Sequence, residues 1–252
     1  MALNVLFVGG TGQISLTSVR EAITAGHKVT VFNRGKSSMA EVPAGVTSIV
    51  GDIDDQQSYA KLGGYTFDVV CAFMVFRPEQ ISRDITTFAG KVGQYIFISS
   101  ASAYQKPARH YIITEKTPLE NPYWEYSRLK IACERLLQDQ SKLSYTIVRP
   151  SHTVRTRLPI QIGDAMTGVR RMLAGKPVLV AGDGTSPCDV DPGHRLLRAV
   201  RSTFRQPSGS RRGFPHHQRS RFHLGSDPYG DRASPRRRGE KLSCAERYAD
   251  PV

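Results

Sequence analysis

Short apolar runs alternate with longer, helix-period stretches over the first 180 residues of this chain. Runs at 5–8, 28–32, 46–50, 67–73, 94–98 and 145–150 are rich in β-branched and aromatic residues and too short for helices. They predict strands, most of them buried on both faces. Between them, apolar residues three and four apart predict helices over 17–25, from Asp54 or Asp55 to 62, over 78–88, 124–138 and 163–174. Gly26 closes the first of these and Pro78 opens the third. Strands and helices alternating at this spacing predict an α/β fold with a right-handed, doubly wound parallel sheet.

The first strand runs directly into Gly9-Gly10-Thr11-Gly12-Gln13-Ile14-Ser15, with a helix opening near Ile14. Glycines let the backbone turn tightly and approach a ligand, and the N–H groups at a helix start attract a phosphate. This strand–turn–helix context suits a dinucleotide pyrophosphate held over Gly9, Thr11, Gly12, Gln13 and Ile14; a tight turn with no ligand is the plainer alternative. Where an acidic residue would hold the ribose of NAD(H), the second strand ends in Asn33-Arg34-Gly35-Lys36. A carboxylate repels a 2′-phosphate and an Arg binds one, so this end favours NADP(H) over NAD(H), unless Arg34 and Lys36 are simply solvated. Asp52-Ile53, after the third strand, places a carboxylate and an apolar face where an adenine would lie.

The fifth strand ends in Ser99-Ser100, at the sheet edge where ligands bind in such folds. Tyr126 and Lys130, four apart, share one face of the next long helix. A phenol is a poor acid or base at neutral pH, and an ammonium one turn away lowers its pKa. Tyr126 could then exchange a proton with a substrate hydroxyl or carbonyl, Ser100 could orient the same oxygen, and Lys130 could also bind the nicotinamide ribose. Tyr-x-x-x-Lys alone is a weak signal, and an ordinary surface pair is the competing explanation.

Taken in order, Gly9-x-x-Gly12, Ser100, Tyr126-x-x-x-Lys130 and Arg149-Pro150 resemble the short-chain dehydrogenase/reductase superfamily, most closely its extended and atypical members, the NAD-dependent epimerase/dehydratases. The resemblance covers residues 3–185. It implies a Rossmann domain, a bound nicotinamide cofactor, Ser100, Tyr126 and Lys130 as catalytic residues, and a small-molecule substrate of the nucleotide-sugar kind. Two positions depart from the pattern. Ser15 stands at the third glycine, which predicts looser helix–strand packing, and Ala72-Phe73-Met74-Val75-Phe76 replaces a segment of small residues. Some atypical relatives bind RNA on the same fold, so a non-catalytic NAD(P)-sensing or RNA-binding protein is the alternative.

Composition divides the chain. Residues 1–185 hold 21 Lys and Arg against 15 Asp and Glu, whereas residues 186–252 hold 14 against 7. About a quarter of the length thus carries half of the +13 net charge. That tail has seven of the fifteen prolines, Arg pairs and triplets and few aliphatic residues. It shows neither helical nor strand periodicity, a composition that burial cannot order. The expected division is a dinucleotide-binding domain at 1–150, a remnant of a substrate-binding lobe at 151–185, and a tail at 186–252. The tail is either a disordered basic arm able to bind nucleic acid non-specifically or the product of a reading-frame shift near residue 186. The shift is favoured, because codons for 214–219 and 222–227, read one base later, permit strand- and helix-like segments. An incomplete lobe would leave apolar surface around 158–181 exposed and impair activity. Scattered cysteines (Cys71, Cys133, Cys188, Cys244) predict no metal site and no disulfide framework. With no basic leader and no apolar run long enough to span a bilayer, a cytoplasmic chain is expected, alone or as a homodimer.

Overall fold

The computed structural model describes residues 2–12, 14–35, 42–110, 112–140, 142–154, 166–180, 190–192 and 220–223. In chain order the elements are β1 (Asn4–Val8), α1 (Ser15–Thr24), β2 (Lys28–Asn33), β3 (Thr47–Val50), α2 (Gln56–Ala60) and β4 (Phe67–Ala72). There follow α3 (Pro78–Phe88), β5 (Val92–Ile98), α4 (Glu125–Asp139), β6 (Tyr145–Arg149), β7 (His152–Val154), α5 (Thr167–Leu173), β8 (Val190–Pro192) and β9 (Ser220–His223). The strand order is β3-β2-β1-β4-β5-β6-β9, and every pairing is parallel. The chain winds outward from β1 to β3, returns to β4 and winds outward again, which is the doubly wound Rossmann arrangement that the sequence predicts. β7 and β8 form a separate two-stranded ribbon.

Alternation along the strands builds a core on each face of the sheet. Val5 and Phe7 point to one face and pack with Val19 and Ala22 of α1. Leu6 and Val8 point to the other, with Tyr59, Ile81, Phe88 and Leu137 from α2, α3 and α4. Each fully buried side chain of this size contributes roughly 1.5–3 kcal/mol. Local signals set the helix ends. Gln57 N and Ser58 N donate to the Asp55 carboxylate, which caps α2 and whose pKa these contacts lower. Pro78 opens α3, where the Gln80 side-chain oxygen accepts from Phe76 N and Arg77 N. Gly26, at φ +77°, closes α1.

The differences from the sequence expectation are local. α2 stops at Ala60 and passes into a 3-10 turn over Lys61–Gly64, where two consecutive glycines weaken an α-helix. The predicted helix at 163–174 is α5 over Thr167–Leu173, its first residues falling outside those described. Of residues 186–252, the described ones are β8 and β9, and β9 adds a strand beside β6 that the composition does not announce. On the inner face of α3, Asp84 is fully buried and accepts from the Tyr59 and Tyr95 hydroxyls at 2.7 and 2.6 Å. Arg83 stacks on the Tyr59 ring at 3.4 Å and also reaches Asp84. Burial raises the pKa of this carboxyl against the pull of the hydroxyls and the guanidinium.

Candidate active site

The turn after β1 has the geometry its glycines allow. Gly9 and Gly10 take φ values of +104° and +114°. A Cβ on Gly10 would lie 2.6 Å from Val31 Cγ1, and one on Gly9 would lie 2.7 Å from Met74 Cγ. No side chain caps α1, so its first N–H groups face the turn without a side-chain acceptor. Ser15 is buried, and its hydroxyl accepts from Gly12 N at 3.0 Å and Gly10 N at 3.4 Å. Rather than loosening the packing, the serine stitches the turn together above the fully buried Leu16 and Val19. Thr11 is buried beside it; Gln13 and Lys36 lie outside the described residues.

The ends of β2 and β3 continue this rim. Asn33 Oδ1 accepts from Gly35 N at 2.8 Å, an Asx turn that leaves Arg34 exposed at the tip. Asp52 Oδ1 accepts from Asp54 N, and half-buried Ile53 packs on the core. Asp54 pairs instead with Arg77 at 2.9 Å. A glycine cradle, an uncapped helix start and a β2 tip without a carboxylate together fit a dinucleotide.

Across the crossover, the Ser100 hydroxyl hydrogen-bonds Ser102 Oγ at 2.9 Å and lies near enough to the Tyr126 phenol to act on its pKa. Ser102 is fixed in turn: Ser127 Oγ donates to its hydroxyl at 2.9 Å and Asn121 Nδ2 to its carbonyl at 2.8 Å. This chain of bonds ties the end of β5 to the first turn of α4. Burial raises the Tyr126 pKa, and the nearby Ser100 hydroxyl offsets part of that rise. The lowering expected from Lys130 is not what the structure shows. Lys130 is 1% exposed, and its ammonium donates to the carbonyls of Val75 at 2.6 Å and Ile98 at 2.8 Å. It lies 5.7 Å from the Tyr126 ring centre and 4.7 Å from that of Phe76. Burial lowers its own pKa to about 8. An ammonium has three protons, and two of them brace the loop after β4 against the end of β5.

One turn further along α4 is a group that the sequence reading missed. Arg149 Nε and Nη2 donate to the Glu134 carboxylate at 2.9 and 2.5 Å, with both side chains buried. Ser99 also donates to Glu134, and Arg149 Nη1 donates to the Tyr104 hydroxyl at 3.0 Å. Burial opposes the charge on Arg149, but Glu134 outweighs it and the pKa rises. The spacing Tyr126, Lys130, Glu134 is a sequence signal that could have revealed the carboxylate. Trp124 and Phe76 flank Tyr126, with ring centres 4.9 and 6.4 Å from it. In the segment between β5 and α4 a cavity of about 530 Å³ opens, lined in part by Arg109, His110 and Lys116.

Residues 9–169, well over half of the chain, match the family described as NAD(P)H-binding. The chain belongs to that family. Among curated proteins it is 32% identical over 115 residues to the chloroplast stem-loop binding protein of 41 kDa b of Arabidopsis thaliana, a match covering 40% of this chain and 30% of that protein. It is 26% identical over 201 residues to the Arabidopsis thaliana divinyl chlorophyllide a 8-vinyl-reductase, covering 72% of this chain and 45% of the relative. The chain thus matches less than half the length of either. In fold it is similar to UDP-glucuronic acid 4-epimerase from Bacillus cereus, solved with UDP-glucuronic acid and NAD, at a TM-score of 0.67 and 15% identity over 88% of this chain and 77% of that one. Among the described residues, no group of three or more His, Cys, Asp or Glu could hold a metal ion, and no helix is long and apolar enough to cross a membrane.

Proposed function

We propose that this chain is a nicotinamide-dependent oxidoreductase or epimerase/dehydratase acting on a hydroxyl or carbonyl group. The observation that carries this reading is the juxtaposition of Ser100, fixed at the carboxyl edge of the sheet through Ser102 and Ser127, with Tyr126 on the first turn of α4, across the crossover from the glycine turn. Bound along that edge, the nicotinamide supplies or accepts a hydride. Tyr126 moves the accompanying proton at the substrate oxygen, and Ser100 holds that oxygen in line. Lys130 braces the Val75 and Ile98 carbonyls beneath them and keeps one proton for a ribose hydroxyl or the phenol. Arg34 on the β2 tip, beside Asn33 rather than a carboxylate, supports NADP(H) over NAD(H).

Titration of the full chain with NADPH and NADH, followed by nicotinamide fluorescence, tests the cofactor half of the proposal. Tighter NADPH binding is expected, and equal or tighter NADH binding overturns the preference. Tyr126→Phe is expected to bind cofactor like the parent and to lose turnover by a factor on the order of 10²–10⁴. Similarity to the stem-loop binding protein favours a second reading, a non-catalytic nucleic-acid-binding protein on the same fold. Tight, salt-sensitive stem-loop RNA binding without turnover would establish it.

We further infer that residues 1–150 form the cofactor domain and 151–185 the remnant of a substrate lobe, with a frame shift near residue 186 impairing activity. Leu173 and Leu179, 84% and 80% exposed, support an incomplete lobe. Sequencing the encoding DNA tests this. The proposal fails if no single-base change restores an apolar, periodic C-terminus.

A further inference from the structure

Four large apolar or aromatic side chains stand exposed on the segments that carry Tyr126 and follow β4. Trp124 is 55% and Phe76 36% exposed, and Met74 and Tyr123 are exposed as well. Trp124 and Phe76 are inclined to the Tyr126 ring by 40° and 45°, so neither lies flat upon it and both keep ring surface for a ligand. Burial of aromatic surface is favourable, and paired rings attract each other beyond the area they bury. The cations nearest in sequence are already engaged. Arg77 pairs with Asp54, Arg128 donates to the Pro122 carbonyl, and Lys130 is buried against two carbonyls. What this part of the rim offers is therefore flat apolar surface around one hydroxyl–phenol pair.

We propose that Phe76, Trp124 and Tyr126 form a subsite for a planar aromatic or conjugated ring system bearing a single carbonyl or hydroxyl oxygen, rather than for a nucleotide sugar. The ring body lies against Trp124 and Phe76, and its oxygen meets Ser100 and Tyr126. The inference rests on the assignment of Ser100 and Tyr126 as the groups that meet the reacting oxygen. It adds a reason for the departure after β4, where a larger aromatic residue, Phe76, stands in the segment that the family resemblance fills with small ones.

Trp124 is the single tryptophan of the chain, so its emission reports on this subsite alone. The full chain is titrated with 2-acetylnaphthalene, with cyclohexyl methyl ketone and with UDP-glucose, while NADPH binding is followed separately by nicotinamide fluorescence. Saturable quenching by 2-acetylnaphthalene is expected, at least about tenfold tighter than by the saturated ketone. Phe76→Ala is expected to weaken it about tenfold, and Phe76→Leu, which keeps an apolar side chain but removes the ring, by several-fold, with the far-ultraviolet circular dichroism of both variants unchanged. Equal binding of the two ketones, displacement of 2-acetylnaphthalene by UDP-glucose, or no effect of the folded Phe76→Leu variant overturns the subsite. Aromatic binding without NADPH binding overturns the proposed function and leaves the subsite standing; the reverse result does the opposite.

Discussion

At Gly10 the space for one methyl group is missing. Gly10→Ala places a Cβ 2.6 Å from Val31 Cγ1 at a φ of +114°, where β1 and β2 are paired and Val31 cannot yield without breaking the ladder. A loss of about 2–4 kcal/mol in urea unfolding is expected, together with loss of NADPH binding. Lys130 makes a pH-dependent prediction. Burial lowers its pKa to about 8 from an unfolded value near 10.4, so between these values the folded chain binds fewer protons than the unfolded one. Stability then rises with pH through that window. Cys133, pushed up by burial to about 12, and Cys71, pushed higher still, act the other way, because unfolded thiols ionise from about pH 8.5 upward while these two keep their protons. The Lys130 contribution is therefore read as a difference: from pH 8 to 9 the parent is expected to gain about 1 kcal/mol relative to Lys130→Met in urea unfolding, the thiol effect being common to both. At neutral pH the Tyr126 phenol, raised by burial, keeps its proton, which suits donation to a carbonyl oxygen. Oxidation of a hydroxyl should accordingly speed up as pH rises toward 10, an increase that Tyr126→Phe removes. The spacing of Tyr126 and Lys130 was legible in the sequence, because four residues along a helix make one face. The destination of the Lys130 protons was not, since Val75 and Ile98 belong to segments 55 and 32 residues away.

Among elements, α4 carries the heaviest duty, joining the ends of β5 and β6 through Glu134, which accepts from Ser99 and pairs with Arg149. Glu134→Gln leaves the Arg149 guanidinium buried with a neutral partner and is expected to cost about 3–5 kcal/mol in urea unfolding. Replacing both members with Leu and Met of similar volume should cost clearly less than the single change, and an equal cost would show that the tyrosine and serine bonds matter more than the charges. Periodicity made β1 to β6 and α1 to α4 legible to within a residue or two at most ends, because most of these runs are buried on the faces their pattern implies; β3, largely exposed, is legible from its β-branched residues. Further along, an apolar run matches the exposed surface expected around 158–181. Val178, Leu179 and Val180 form an apolar run as dense as β1, yet they are exposed and outside any strand. β9 has the opposite character, a strand of polar and basic composition whose position comes from backbone pairing with β6. The turn after β1 was legible as a cradle, but the role of Ser15 was not, because a hydroxyl that accepts from two turn amides looks in sequence like a missing glycine.

For the whole molecule, the apolar strip of Met172, Leu173 and Val178 to Val180 is the exposed counterpart of the buried core. Self-association that grows with concentration in light scattering is expected, and Leu173→Lys with Leu179→Lys should suppress it without changing NADPH affinity. Unchanged scattering in the double variant would place the sticky surface elsewhere. The sheet order has a different kind of consequence. β1 and β4 are neighbours in space but belong to halves of the chain wound in opposite directions, and Met74, just after β4, rests against Gly9, just after β1. A ligand seated in that crevice touches both halves at once, so it acts as a clasp between two otherwise separable folding units. Amide hydrogen exchange should therefore slow on NADPH binding in β2 and in β5 together, far from the turn itself, and opening of either half should become an event that requires release of the ligand first.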